Sequence, residues 1–406
     1  MIALRFIDEV GQLAPALVAA FAVAALLALG LTPLIRRFAS AFGLVDRPDP
    51  RRVNTRPIPR GGGLAVAAAF LPVAIVVVVV VDRGSGGSIE FPGSVGPPQL
   101  GALLIGGVLA ALIGFLDDAR QLRARWQLLG QLVVALVAVV LGVEVGGIAN
   151  PLGPGTIRFD GILAAAFTVV WIVGMINSIN FIDGLDGLSS GIALIAAVTL
   201  GLISLTTAVG PLGQPFVAIL CFVLAGALLG FLRWNFHPAS VFVGTSGVMF
   251  IGYTLALLSI LGTAKVAVAL LVLGVPVIDT FWIIVRRLAN RQSPFTPDRG
   301  HVHHRLLDLG LSHTQTVLLI YAISTVLAVL TFVLTGAGQL YAFLGVVVGS
   351  GIVLFVLAGR HAVAEDLEAG SYDAAGVNGT RDAAGVNGPR DGTGVSGTRE
   401  GTRNRD

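Results

Sequence analysis

Long, nearly uninterrupted apolar runs constrain this chain more than any other feature. Segments such as 71–81 and 317–334 reach, with their flanks, the ~20 residues that cross a hydrocarbon core. A mean hydropathy of +0.88, with 55% hydrophobic residues, excludes an ordinary soluble domain. Backbone groups in lipid must pair within their own segment, so each span must be helical. The sequence therefore predicts an all-α polytopic membrane protein, a bundle of about 11 transmembrane helices.

Arginine distribution predicts the orientation of that bundle. Arginines concentrate in alternate connections, at 36–60, 120–125, 233 and 286–305, whereas the connections between them carry few charges. The positive-inside rule then places the N-terminus outside and the basic loops and C-terminus in the cytoplasm, with the polar site on the cytoplasmic face. The basic side would face anionic headgroups and an anionic substrate. With a net charge of only +3, we expect no nucleic-acid partner.

Two regions differ sharply in composition. Residues 1–360 form the predicted transmembrane domain, whereas 361–406 repeat a Gly/Asn/Thr-rich unit that cannot bury a core. We expect this tail to be cytoplasmic and disordered. A calcium-binding β-roll is the alternative, but the glycine and aspartate spacing does not match that repeat. The single cysteine, Cys221, excludes an intramolecular disulfide.

Three polar clusters interrupt the apolar background: Asp117–Asp118, Asn177–Asp186 and His301–His304. The expected topology puts all three on one membrane face, where ionisable groups indicate a functional site. Carboxylate and amide oxygens suit Mg²⁺, with Mn²⁺ as an alternative. Taken alone, the aspartate pair is also compatible with solvated or capping charges. The histidines are compatible with phosphate contact, a catalytic metal ligand or ordinary loop chemistry, but not with a structural zinc site.

Several motifs in one order give the chain a family resemblance. They are Val45-Asp-Arg-Pro-Asp49, Pro59-Arg-Gly-Gly-Gly63, Gly114-Phe-Leu-Asp-Asp118, Asn177-Ser-Ile-Asn-Phe-Ile-Asp-Gly-Leu-Asp-Gly187, Asn235 with Pro238-Ala239 and Phe242-Val-Gly244, and Ser293-Pro-Phe-Thr-Pro-Asp-Arg-Gly-His-Val-His-His304. The resemblance that they carry covers nearly all of residues 14–358. The chain resembles the polyprenyl-phosphate N-acetylhexosamine-1-phosphate transferases of glycosyltransferase family 4, in the bacterial branch that uses UDP-N-acetylglucosamine.

The resemblance implies a reaction. A polyprenyl phosphate in the bacterial plasma membrane would attack the β-phosphate of a UDP-sugar, giving polyprenyl-diphosphate-sugar and UMP and initiating a cell-envelope glycan. Such a transfer depends mainly on positioning and charge neutralisation. The second pKa of a phosphate monoester is about 6, so the lipid phosphate is already largely ionised. Direct attack is therefore favoured over a covalent aspartyl intermediate.

The resemblance also assigns residues. Asp117 and Asp118 match the catalytic acidic pair, and Asn180 matches a Mg²⁺ ligand, with Asp118 as a second one. The positions that match the uridine pocket are Asp183, Asp186, Asn235 and Phe242. The positions that match the loop over the diphosphate are Arg299, His301, His303 and His304.

One departure concerns the metal site. Family members usually carry an Mg²⁺-binding aspartate where this chain has Thr245. Either another carboxylate, Asp118 or Asp183, replaces it, or the protein is a divergent or inactive relative. A polyprenyl-lipid transporter or flippase is the alternative from a different functional class. The bundle is also compatible with assembly as a homodimer.

Overall fold

A computed structural model describes residues 2–46, 57–83, 95–150, 155–206, 214–262, 266–289, 291, 301–334 and 337–349. Residues 1–349 form one compact unit. The predicted tail at 361–406 lies outside the described residues, as does Arg299.

Helices account for nearly all of the described secondary structure. They are α1 Ile2–Ala41, α2 Leu64–Arg83, α3 Pro97–Arg120, α4 Ala124–Val140, α5 Gly161–Ile182, α6 Leu188–Ser204, α7 Pro215–Asn235, α8 Gly244–Leu261, α9 Val266–Val272, α10 Gly274–Ala289, α11 Val302–Asp308, α12 His313–Val333 and α13 Ala337–Gly349. Two antiparallel hairpins complete the list, pairing β1 Val45–Asp46 with β2 Ile58–Pro59 and β3 Gly147–Ala149 with β4 Thr156–Arg158.

The expected count of about 11 spans is not confirmed among the described residues. Seven described helices are long and apolar enough to cross a membrane, or eight if α9 and α10, bent by 80° at their junction, form one span. The helices α4 and α6 have 17 residues each, about 25 Å at 1.5 Å per residue, which is the short end of the range for a crossing helix. The hydrocarbon core is about 30 Å thick. The sequence thus contains more apolar stretches than the described part of the structure has helices of full spanning length. The all-α polytopic membrane architecture itself is confirmed.

The centre of the unit is built by α7 and α8. In their apolar windows 78% and 83% of residues are buried, against 22–44% in the other five long helices. Helix α7 packs between α1 and α6, and α8 packs between α3 and α5. The outer helices keep apolar side chains exposed on one side, including Leu26, Ile105 and Val170. Those exposed faces suit contact with lipid, whereas α7 and α8 form a protein-enclosed core.

Candidate active site

Close packing of α3 against α8 brings the aspartate pair to the N-terminal end of α8. Gly114 lies one turn before the pair, and a Cβ atom there would come within 2.5 Å of Cα of Ser246. Only glycine lets the two backbones approach this closely. Asp117 and Asp118 therefore end α3 beside the first turn of α8, and each has 5% exposure.

Asp118 is held by the first backbone amides of α8. Thr245 N–H donates to its Oδ1 (2.8 Å), and Ser246 N–H donates to its Oδ2 (3.0 Å). The first N–H groups of a helix have no intrahelical acceptor and carry the positive end of the helix dipole. Gly244 makes room for this contact, because its φ is +73° and a Cβ there would lie 2.7 Å from Oδ2 of Asp118. The helix terminus thus fixes and partly neutralises this carboxylate.

Asp117 is held by side chains and by the α3–α4 turn. The hydroxyl of Thr245 donates to its Oδ2 at 2.6 Å. Its Oδ1 accepts from the Leu122 N–H and from Nε2 of Gln127, each at 2.9 Å. Thr245, the position of the family aspartate, therefore contacts both carboxylates of the pair. The partnership with Gln127 was not foreseen, because it depends on how α4 turns back after α3.

Arg60 lies close to these carboxylates. The sequence alone gave this residue no role. It follows β2, where the Phe242 N–H donates to the Pro59 carbonyl (2.9 Å) and the Gly62 N–H donates to the Phe242 carbonyl (2.8 Å). Its guanidinium forms an ion pair with Asp46 of β1. The β1–β2 hairpin is thus joined to the segment that precedes α8, and it carries a positive charge to the site.

The loop between α5 and α6 contributes Asp183. Burial raises the pKa of this carboxyl to about 7. A hydrogen bond from Oγ of Ser189 (2.5 Å) and the charge of Arg60 oppose the rise, while the charges of Asp118 and Asp186 add to it. Three residues earlier, the partly exposed Asn180 lies in the last turn of α5. The site thus gathers more negative charge than its nearby arginine balances.

Asp186 lies in a different environment, beside two histidines that the sequence did not single out. Its Oδ2 accepts from the Ala239 N–H (3.0 Å) and lies 2.8 Å from Nδ1 of His237. The rings of His237 and His313 stack at 4.2 Å with 22° between their planes. The ligand atoms of all three side chains lie within 4.8 Å of one another. Imidazole lone pairs lie in the ring plane, so rings stacked in this way do not converge on one metal ion.

Asn235 and Phe242, both matched to the uridine pocket, frame the connection from α7 to α8. Asn235 has 2% exposure, and it accepts from Oγ of Ser190 (2.6 Å) and donates to the Val241 carbonyl (3.1 Å). These bonds use both ends of its amide to shape the connection. Phe242 is partly buried, and its backbone is bound to the residues around β2.

The histidine segment contacts the end of α5. The rings of His301 and Phe181 lie 5.7 Å apart, and a Cβ at Gly184 would come within 2.2 Å of Nε2 of His303. His303 has 2% exposure, and neither ring nitrogen has a hydrogen-bond partner among the described residues. Burial first, and then the neighbouring histidines, including His304, lower its pKa well below the usual value. His303 is therefore a neutral imidazole packed against the loop that carries Asp183.

The structure thus brings the three polar clusters of the sequence together at one end of the bundle. Comparison with known proteins identifies the family. A probable undecaprenyl-phosphate N-acetylglucosaminyl 1-phosphate transferase of Bacillus subtilis is 37% identical over 328 residues, which cover 79% of this chain and 86% of the relative. The chain belongs to glycosyl transferase family 4. The family profile matches residues 100–263, which run from α3 to the end of α8.

Two further relatives of this family 4 protein carry related names. The decaprenyl-phosphate N-acetylglucosaminephosphotransferase of Mycolicibacterium smegmatis is 34% identical, over 73% of this chain and 77% of its own length. The undecaprenyl-phosphate alpha-N-acetylglucosaminyl 1-phosphate transferase of Thermotoga maritima is 29% identical, over 79% of this chain and 90% of its own length. The family predicted from the motifs is confirmed.

Proposed function

We propose that this family 4 enzyme transfers N-acetylglucosamine 1-phosphate from UDP-N-acetylglucosamine to a polyprenyl phosphate. The products are polyprenyl-diphosphate-N-acetylglucosamine, the first intermediate of a cell-envelope glycan, and UMP. The observation that carries the proposal is the buried pair Asp117–Asp118, held at the N-terminus of α8 beside the loop with Asp183. The names of the three relatives support the lipid acceptor and the transferred group.

The chemistry is displacement at phosphorus. An oxygen of the lipid phosphate forms a bond to the β-phosphorus, the bond from that phosphorus to the bridging oxygen breaks, and UMP carries away the electron pair. Little covalent work falls to the protein, so positioning and charge stabilisation carry the catalysis. The bonds from Thr245 and Ser246 fix the aspartate pair before substrate arrives. Fixed carboxylates of this kind hold a cation or orient the lipid phosphate without reorganisation.

A divalent cation fits the residues present, and Mg²⁺ is the ion we propose. The fit rests on the raised pKa of Asp183, which burial and the neighbouring carboxylates cause and which Arg60 only partly offsets. Asn180, Asp118 and Asp183 would hold the ion, with Thr245 beside them. When bound, it neutralises the diphosphate of the nucleotide sugar. In this chain, Asp183 accepts the Ser189 hydrogen bond through Oδ1, and the structure shows no partner for its other oxygen among the described residues.

Two groups of residues are proposed to bind the two parts of the nucleotide sugar. We assign uridine to the pocket framed by Phe242, Asn235, Asp183 and Asp186, where the phenyl ring of Phe242 would stack on uracil. We assign the diphosphate to His301, His304 and Arg299. His303, buried and neutral, would form the wall of this pocket and donate or accept a single hydrogen bond.

The proposed setting is the bacterial plasma membrane, with the site on the cytoplasmic face, the N-terminus outside and the C-terminus inside. The support is the alternation of arginine-rich and arginine-poor connections. The aspartates at the end of α3, the α5–α6 loop and helix α11 lie at the end of the bundle where the described arginines of those connections lie, such as Arg60, Arg120 and Arg305. A polyprenyl phosphate would reach this end with its chain in the lipid and its headgroup at the site.

UMP release tests the proposal directly. Purified protein is incubated with UDP-N-acetylglucosamine, undecaprenyl phosphate and MgCl₂, and we expect UMP and the lipid product in equal amounts. Asp117→Asn and Asp118→Asn should each reduce turnover by ~10²–10³. Asp160→Asn, which removes a carboxylate at the opposite end of α5, is the matched control and should leave turnover unchanged. Lipid movement between leaflets without UMP release would support a transporter and overturn the enzyme proposal.

A further inference from the structure

Asp279 of α10 is a buried carboxylate outside the set of residues assigned to substrate and metal. It has 3% exposure, and both of its oxygens are used. Oδ2 lies 2.7 Å from Nδ1 of His301, and Oδ1 accepts the Val302 N–H at 2.9 Å. A single side chain thus fixes both the ring of His301 and the backbone at the start of α11.

The contact determines which nitrogen of His301 carries a proton. A carboxylate oxygen can only accept a hydrogen bond, so at 2.7 Å the proton lies on Nδ1 of His301. Nε2, on the opposite side of the ring, has no partner among the described residues. Because Asp279 uses Nδ1, the only ring nitrogen left for substrate is Nε2.

The surroundings place the His301 ring beside the loop that carries Asp183. The His301 ring lies against Phe181, two residues before Asp183, and its neighbour His303 lies against Gly184. Helix α10, which carries Asp279, follows the 80° break after α9 and packs against α5. Asp279 therefore connects a helix that bends back into the bundle with the loop that holds the histidines.

We propose that Asp279 is a positioning residue, which holds the proton of His301 on Nδ1 and presents Nε2 to the diphosphate of the nucleotide sugar. This inference rests on the proposed function. In the imidazolium form both ring nitrogens donate, Nδ1 to the Asp279 carboxylate and Nε2 to a phosphate oxygen. His301 then donates Nε2–H as negative charge moves onto the leaving UMP.

A double-mutant cycle tests whether Asp279 acts through His301. Asp279→Asn keeps the shape and removes the charge, and we expect kcat to fall about 10- to 100-fold, as for other residues that orient a functional imidazole. KM for UDP-N-acetylglucosamine should change much less, because the contact matters most in the transition state. In a His301→Gln background the same substitution should cost nothing more. Equal losses in both backgrounds would overturn the inference.

Thr280→Val is the matched control, because Thr280 is the next residue of α10, is buried, and has an Oγ1 without a partner among the described residues. It should leave kcat and the melting temperature unchanged. A lower melting temperature for Asp279→Asn together with additive losses would indicate a purely structural carboxylate.

A spectroscopic measurement keeps the test independent of turnover. In protein with ¹⁵N-labelled histidine, near pH 9 where an ordinary imidazole is neutral, the His301 signal is identified by its loss in His301→Gln. We expect a protonated Nδ1 in the wild type and a shift of the proton towards Nε2 in Asp279→Asn. An unchanged spectrum would refute the proton assignment. If the wild type releases no UMP but the tautomer shifts, the proposed function fails and the Asp279–His301 pairing stands.

Discussion

Thr245 is the position at which a single substitution tests most of the site. Its hydroxyl donates to Oδ2 of Asp117 at 2.6 Å, and its N–H donates to Oδ1 of Asp118 at 2.8 Å. Thr245→Asp would replace a donor with a third carboxylate in contact with the pair. We expect the variant to depend strongly on Mg²⁺, both for stability and for activity.

The magnitude follows from these contacts. A hydrogen bond to a charged acceptor contributes about 1.5–3 kcal/mol, which the substitution removes. Two like charges about 4 Å apart repel by about 4 kcal/mol at an effective dielectric constant of 20. The metal-free variant should therefore be destabilised by about 6 kcal/mol, which lowers the melting temperature by several degrees or more. A divalent cation among the three carboxylates would convert the repulsion into attraction.

Melting curves and activity titrations measure both effects. Thr245→Asp should melt below the wild type in EDTA, regain stability as MgCl₂ is added, and reach half-maximal UMP release at a lower Mg²⁺ concentration. Thr245→Val is the control, since it loses the hydroxyl hydrogen bond without adding charge. Its melting temperature should fall by less than that of Thr245→Asp, and by the same amount with or without Mg²⁺.

Two outcomes would refute the reasoning. If Mg²⁺ restores neither stability nor activity to Thr245→Asp, Thr245 does not lie at the metal. If the wild type is inactive and the substitution creates activity, the chain is a degenerate family member whose site has lost its metal ligand.

Three further predictions concern charge, pH and orientation. Asp118→Asn should lower the melting temperature more than Asp160→Asn does, because only Asp118 accepts both first amides of α8. The pKa of Asp183, about 7 in the folded protein against 3.8 ordinarily, makes the folded state bind a proton that the unfolded chain releases. The melting temperature of metal-free protein should therefore fall as pH rises from about 4 to 7, and Asp183→Asn should flatten that dependence. With the native cysteine removed, Gly146→Cys should react with a membrane-impermeant thiol reagent added to intact cells, whereas labelling of Leu309→Cys from outside would contradict the proposed orientation.

Hydropathy predicts most of the fold because the constraint is local. A segment in lipid must satisfy its backbone hydrogen bonds internally, so each apolar run becomes a helix whatever its neighbours are. The expected count of about 11 spans is not confirmed, because a count also depends on the length and bending of each helix. Helices α4 and α6 are short for a crossing, at 17 residues each, and the junction at 273 bends the chain by 80°. Neither property follows from apolar composition.

The polar clusters were also visible in the sequence, because Asp117, Asp183 and His301 are costly within a membrane protein unless they serve a function. The hydrogen-bond partners of these residues were not visible in the sequence. Thr245 contacts Asp117 across 128 positions, and Asp186 pairs with His237 across 51. These pairs depend on the approach of α3 to α8 and on the path from α7 to α8.

The sequence by itself determined the helical membrane class, the family and the residues able to carry charge at the site. The tertiary structure decided which donors hold each carboxylate, and it placed Arg60, Gln127 and Asp279 beside the residues that they support. The physical reason is the distance along the chain between the groups that interact. Helix formation in an apolar medium is satisfied within one segment, whereas a buried ionised group takes its partners from whichever segments the packing brings within hydrogen-bonding distance.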